Sequence, residues 1–254
     1  MENRLSYTLY LADSALILSH RNSEWTGHGP VLEQDIAISN IALDLIGQAR
    51  NFYDYAARQI NQSGLNDPAT EDSLAYLRDV PEFKNCLLAE LPRGDWAVTI
   101  LRQFFFSAYQ TLLFEKLQHS GVDDLAAIAE KSLKEATYHL RWSSEWVIRL
   151  GDGTQESRSR ILDALDQLWM YTGELLEPAH YELAAAVEGY GPDPATLKET
   201  WLEKIQEVFE EAVLPVPGNE WMQTGGKTGK HTEHLGQLLA EMQFMQRAYP
   251  GCEW

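Results

Sequence analysis

Glu135 and His139 stand four residues apart in Lys134-Glu135-Ala136-Thr137-Tyr138-His139. Four residues is about one helical turn, so a carboxylate and an imidazole share one helix face. Helical bundles that hold two metal ions take a Glu from each of two helices and a Glu-x-x-His from each of the other two. The offset here is four instead of three. Asp44 and Gln48 repeat the four-residue spacing in Leu43-Asp44-Leu45-Ile46-Gly47-Gln48-Ala49, with Gly47 where a ligand is expected. Asp13 is a lone acid in an apolar run near His20. Asp13, Asp44, Glu135 and His139 together would offer oxygen and imidazole donors to hard divalent cations, the chemistry of oxygen activation.

The third long helical segment weakens that reading, because it has Gln103 and Ser107 at its centre and no acid until Glu115. None of the four long segments carries Glu-x-x-His. Two readings remain. In one, the chain is itself a di-metal carboxylate oxidoreductase with a relaxed ligand set. In the other, the same residues hydrogen-bond one another inside the bundle, since a buried charge must find a partner. The missing ligands favour the second, with no catalytic, cofactor-binding or metal residue in this chain.

The elements that position these residues are helices throughout. Apolar periodicity predicts helices over about 5–21 and 31–61, the second with Ile38, Ile41, Leu45, Ala49, Phe52 and Ala56 as its core stripe. Gly64 and Asn66-Asp67-Pro68 end it, and a short helical connection is expected over 71–91. Asp95 caps a third long helix to about Ser120, and a fourth runs from Asp123 to Leu150. Further helices are expected at 154–176, 180–188, 194–213 and 233–249. Four long helices, three of them of roughly 25–30 residues against the usual ~11–12, read as a bundle. The expectation is an all-α, ferritin-like bundle of four long helices with additional C-terminal helices. It forms a single domain over 1–254, with 214–254 as an extended C-terminal segment and final helix.

The third helix is apolar on two sides: Ile100, Phe104, Ala108 and Thr111 on one, Phe106, Tyr109 and Leu113 on the other. The second side is buried either under the chain's own later helices or in an interface with another protein chain.

Composition excludes several functions. Twenty Lys and Arg against 38 Asp and Glu leave a net charge of −18, which argues against nucleic acid or an anionic membrane as partner. The first residues do not form a signal peptide, and no apolar run approaches the ~20 residues of a membrane span. Cys86 and Cys252 form no redox or metal motif, so a reducing cytoplasm is expected.

The segment Thr224-Gly225-Gly226-Lys227-Thr228-Gly229-Lys230-His231 imitates a phosphate loop, but Trp221 stands where the Walker pattern needs its first Gly. Its lysines, Lys227 and Lys230, are either a docking arm for a partner or part of a solvated loop. Thr232 is the expected N-cap of the final helix.

Glu24-Trp25-Thr26-Gly27-His28, the stretch Asn40 to Asn51, Lys134 to Arg141, and Thr224 to Gly236 followed by Leu239-Ala240-Glu241-Met242-Gln243 closely resemble the structural, ferritin-like component (the C component) of bacterial 1,2-phenylacetyl-CoA epoxidases, and the similarity runs from end to end. The resemblance implies a multicomponent monooxygenase that forms the ring 1,2-epoxide of phenylacetyl-CoA in aerobic phenylacetate degradation. It places the di-iron centre and substrate in a homologous ferritin-like catalytic component (the A component), adds a small B component, and puts FAD and an iron-sulfur cluster in a reductase. The structural component carries no cofactor, scaffolds its catalytic homologue and self-associates within the complex. It contributes no catalytic residue.

Overall fold

A computed structural model describes residues 2–62, 68–218 and 221–252; Gly64, Asn66 and Asp67, expected to end the second helix, lie outside them. The described residues are all-α, with no strand. Four long helices make the bundle: α1 (Glu2–Ser23), α2 (Leu32–Asn61), α5 (Trp96–Leu117) and α6 (Asp123–Gly151). Between α2 and α5 lie two short helices, α3 (Glu71–Tyr76) and α4 (Leu87–Glu90). After α6 come α7 (Gln155–Leu168), α8 (Gly173–Leu176), α9 (His180–Glu188), α10 (Lys198–Glu211), α11 (Glu233–Met242) and α12 (Phe244–Ala248).

Local chemistry sets several of these boundaries. The Asp95 carboxylate accepts the Val98 N–H at 3.0 Å to start α5, and Thr154 caps α7 through the Ser157 N–H at 3.1 Å. Asp193 accepts the Ala195 N–H at 2.9 Å, but Pro194 opens a 3-10 turn, and α10 begins only at Lys198. The helix expected over 71–91 is two short helices separated by extended chain and a 3-10 turn containing Pro81. The final helix breaks at Gln243, whose side-chain amide donates to the carbonyls of Ala75 and Arg78 at 3.2 and 3.0 Å.

The α2 core stripe is buried as the periodicity requires. Helices α1 and α2 pack as one pair, α5 and α6 as the other; α9 lies on α1, and α7 and α10 cover α5. A cluster of edge-to-face indoles closes one end of the bundle: Trp96 meets Trp25, Trp142 and Trp146 at centroid distances of 5.0, 6.0 and 5.5 Å. The Gln34 carbonyl oxygen accepts both the Trp142 and Trp146 N–H groups, tying α2 to α6.

The covering of α5 decides its second apolar side. Phe105 packs on Trp169, Trp201 and Phe209, and the Tyr109 hydroxyl bonds that of Tyr10 on α1 at 3.0 Å. Phe106, Tyr109 and Leu113 are all buried within the chain. The interface reading of these three is therefore corrected. They belong to this chain's own core: Tyr109 faces α1, while Phe104 and Phe105 take the cover of the elements after α6. Among the described residues, no helix is long and apolar enough to cross a membrane.

Candidate functional site

The polar residues of the bundle interior form a ladder between α2 and α6. Asp44 Oδ2 lies 3.0 Å from His139 Nε2, and one turn along Gln48 Nε2 donates to Glu135 Oε2 at 2.9 Å. Gln110 of α5 extends the chain by donating to Gln48 Oε1 at 2.9 Å. The four-residue offsets on both helices explain the two rungs, since i and i+4 stack along one face. His139 is buried while the Asp44 side chain reaches the edge of the bundle. The Ser143 hydroxyl donates to the His139 carbonyl at 2.7 Å, and His139 Nδ1 has no partner.

A di-metal centre does not fit this donor set. At the level of the ladder α5 supplies amides, and Gln103 is held between the Asn22 amide at 2.7 Å and the Ser107 hydroxyl at 2.8 Å. A neutral amide bound to its neighbours does not replace the anionic oxygens that hard cations need. Asp13 is not part of the ladder. It accepts from Tyr53 at 2.5 Å, from the Lys84 N–H at 2.8 Å and from both terminal nitrogens of Arg78. The relaxed set Asp13, Asp44, Glu135 and His139 is thus not brought together. Among the described residues no group of three or more His, Cys, Asp or Glu could hold a metal ion. Glu177-Pro178-Ala179-His180 does have the Glu-x-x-His spacing. It straddles the break before α9, and both side chains are exposed.

A second polar centre escaped the sequence reading. The Gly/Lys arm of residues 224–232 is inserted into the protein against three buried carboxylates, Glu90, Glu174 and Glu182. Lys227 Nζ donates to both oxygens of Glu182 at 2.9 and 3.1 Å and to the carbonyls of Leu175 and Glu177. Glu174 accepts the backbone N–H groups of Leu87, Gly225 and Lys227. Glu90 accepts from Asn85, His231 and both the N–H and hydroxyl of Thr232. Burial raises the carboxyl pKa of Glu182 and Glu174; Lys227 opposes it at the first, backbone N–H groups at the second. As a free docking cation Lys227 is therefore corrected: only 3% of it is exposed, and its charge is used inside the chain. Lys230 remains exposed. The available signal was three single acids set in apolar runs, such as Leu88-Ala89-Glu90-Leu91.

Cys86 is the one buried thiol nearby, and burial pushes it up to about 12, far from a thiolate. A cavity of about 880 Å³ lined by Trp169, Leu176, Trp201, Leu202 and Met222 lies outside the ladder and shares none of its residues.

Comparison with known proteins agrees with this architecture. The family model described as phenylacetic acid catabolic protein matches residues 1–254. The chain is also 46% identical over 254 residues, the full length of both proteins, to the C component of the 1,2-phenylacetyl-CoA epoxidase of Escherichia coli (strain K12). A match over the whole chain shows the family, and the chain belongs to the phenylacetic acid catabolic protein family.

Proposed function

We propose that this chain is the non-catalytic structural component of a multicomponent di-iron monooxygenase that epoxidises the ring of phenylacetyl-CoA in aerobic phenylacetate degradation. In that complex it scaffolds a homologous catalytic component that holds the di-iron centre and the substrate. A small third component and a reductase with FAD and an iron-sulfur cluster complete the assembly. The observation that carries the reading is Gln110 bonded to Gln48, which is bonded in turn to Glu135. Amides fill the level of the bundle where a metal cage needs acids, and the scaffold keeps its shape through hydrogen bonds instead. The full-length identity to a relative named as the C component of the epoxidase supports the same role.

The competing reading, a di-metal oxidoreductase in its own right, has Asp44, Glu135 and His139 in its favour. Purification of this chain alone, of the catalytic component alone and of the two together, each with iron analysis, separates them. The scaffold role predicts iron with the catalytic component, co-purification of the pair, and loss of soluble or active catalytic component when this chain is left out. Stoichiometric iron in the isolated chain that disappears in Glu135→Ala would overturn it.

A further inference from the structure

We infer that the outward face of α2, with the adjoining stripe of α6, is the docking surface for an acidic helical partner that is a different chain. Helix α2 is apolar twice over. Beyond its core stripe, Leu32, Ile36, Leu43 and Ile46 are 72%, 52%, 65% and 41% exposed. Leu32, Ile36 and Leu43 fall on one line along the solvent side, at spacings of four and seven residues. Scattered exposed leucines are ordinary, but several aligned on one helix mark an interaction site.

Gly47 continues this line, and a Cβ added there would meet nothing within 4 Å. The monomer therefore does not need a glycine for its own packing, and a glycine within a helix costs stability relative to Ala. The missing side chain leaves a shallow seat where another helix can come close.

The charge beside the seat selects the partner. The pairs Asp44–His139 and Gln48–Glu135 fix an antiparallel register, so Tyr138 of α6 stands level with the turn from Leu43 to Gly47, and Lys134 and then Lys131 follow beyond it toward the C-terminal half of α2. All three are exposed, and Lys131 and Lys134 make no ion pair among the described residues. Arg141, also exposed, stacks over Tyr138. An unpaired basic stripe on a chain of net charge −18 complements carboxylates flanking an apolar helix. A second copy meeting this same face about a two-fold axis would bring the basic stripes together, which disfavours self-pairing here.

The inference rests on the proposed scaffold role, and the catalytic component is the probe. Binding of the full chain to it is measured by titration at low and high salt for wild type, Leu43→Glu, Gly47→Trp, the double variant Lys131→Glu/Lys134→Glu, and Val187→Glu on α9 as a distant exposed control. Thermal melts confirm folding, since Gly47 and Leu43 both face open solvent. The expected result is weakening of about 30-fold or more for the first two, the size of an interface hot spot. The lysine variant binds more weakly and loses much of the salt dependence, while Val187→Glu binds as wild type does. Undiminished binding by Leu43→Glu and Gly47→Trp overturns the surface and leaves the scaffold role standing. A wild-type chain that does not bind the catalytic component overturns the scaffold role and its docking face together. A wild-type homodimer broken by the same variants overturns the choice of a different chain as occupant.

Discussion

Lys227 Nζ lies 2.9 and 3.1 Å from the two oxygens of Glu182, in a place where both side chains are almost wholly removed from water. The pair joins the C-terminal arm to the start of α9, and two carbonyls satisfy the remaining ammonium protons. Breaking a buried pair from one side leaves an uncompensated charge, at a cost of about 3–5 kcal/mol. Lys227→Met is expected to lose about that much in urea denaturation. Removing both charges in Lys227→Met/Glu182→Met restores much of the loss, because an apolar pair of similar volume needs no desolvation. Single variants within about 0.5 kcal/mol of wild type, the range of an ordinary surface change, would show that the arm is not held by this pair.

His231 makes the same arm pH-sensitive. Its Nδ1 lies 2.7 Å from Glu90 Oε2 and its Nε2 lies 2.9 Å from the Phe83 carbonyl, so both ring nitrogens face acceptors and the imidazolium fits best. Burial lowers its pKa, but the Glu90 hydrogen bond and charge and the Phe83 carbonyl outweigh it, and the net direction is upward from 6.5. The folded chain thus holds this proton more tightly than the unfolded one. The stabilisation is fully present below 6.5 and is lost as pH rises through the raised folded value. Thermal melts from about pH 5.5 to about pH 9 are expected to show the wild type losing more stability with rising pH than His231→Gln does. Parallel curves for the two proteins would remove the His231 proton from the account.

The contrast between the two polar centres explains what a sequence shows. Asp44 with Gln48 and Glu135 with His139 were legible as pairs, because helical periodicity alone puts residues four apart on one face. That Asp44 meets His139 and Gln48 meets Glu135 was not legible, since the register of α2 against α6 depends on how the whole core packs. Lys227 was misread for a related reason. A Gly/Lys run has the composition of a solvated loop, and its partner Glu182 is 45 residues away in the chain. The break at Gln243 carries no Gly or Pro; its side chain bonds carbonyls 168 and 165 residues earlier. The two-sided burial of α5 was readable from Phe104, Phe106 and Tyr109, but what covers it was not: Tyr109 meets α1, and α7 and α10 close over the rest.

Asp13 illustrates how a metal-like acid becomes structural. Arg78, Tyr53 and the Lys84 N–H saturate its oxygens; burial lowers the Arg78 pKa, but the Asp13 charge and hydrogen bond outweigh it and the net direction is upward. Asp13→Ala strands a buried guanidinium and is expected to destabilise the chain by about 3–5 kcal/mol. The iron content of the isolated chain stays unchanged in that variant. A loss of bound iron on removing Asp13 would return it to the set of ligands.

Gly226 tests whether the arm is seated as tightly as its hydrogen bonds imply. A Cβ at this position would collide with the Asn85 carbonyl oxygen and press on Leu87, so backbone runs directly against backbone there. Neither carbonyl nor amide can step aside, because Leu87 N–H is held by Glu174 and Asn85 bonds Glu90 through its side chain. Gly226→Ala is therefore expected to behave as an overpacking change of about 1–3 kcal/mol. Its main readout is local: faster proteolytic cleavage within residues 224–232 while far-ultraviolet dichroism keeps the helical signal. Gly47→Ala supplies the opposite sign, since its Cβ enters open space on an exposed helix face and gains about 0.5–1 kcal/mol from restricted unfolded chain. A Gly226→Ala chain whose arm resists protease like wild type, with stability within about 0.5 kcal/mol, would mean that the arm and α4 can separate without disturbing the bundle.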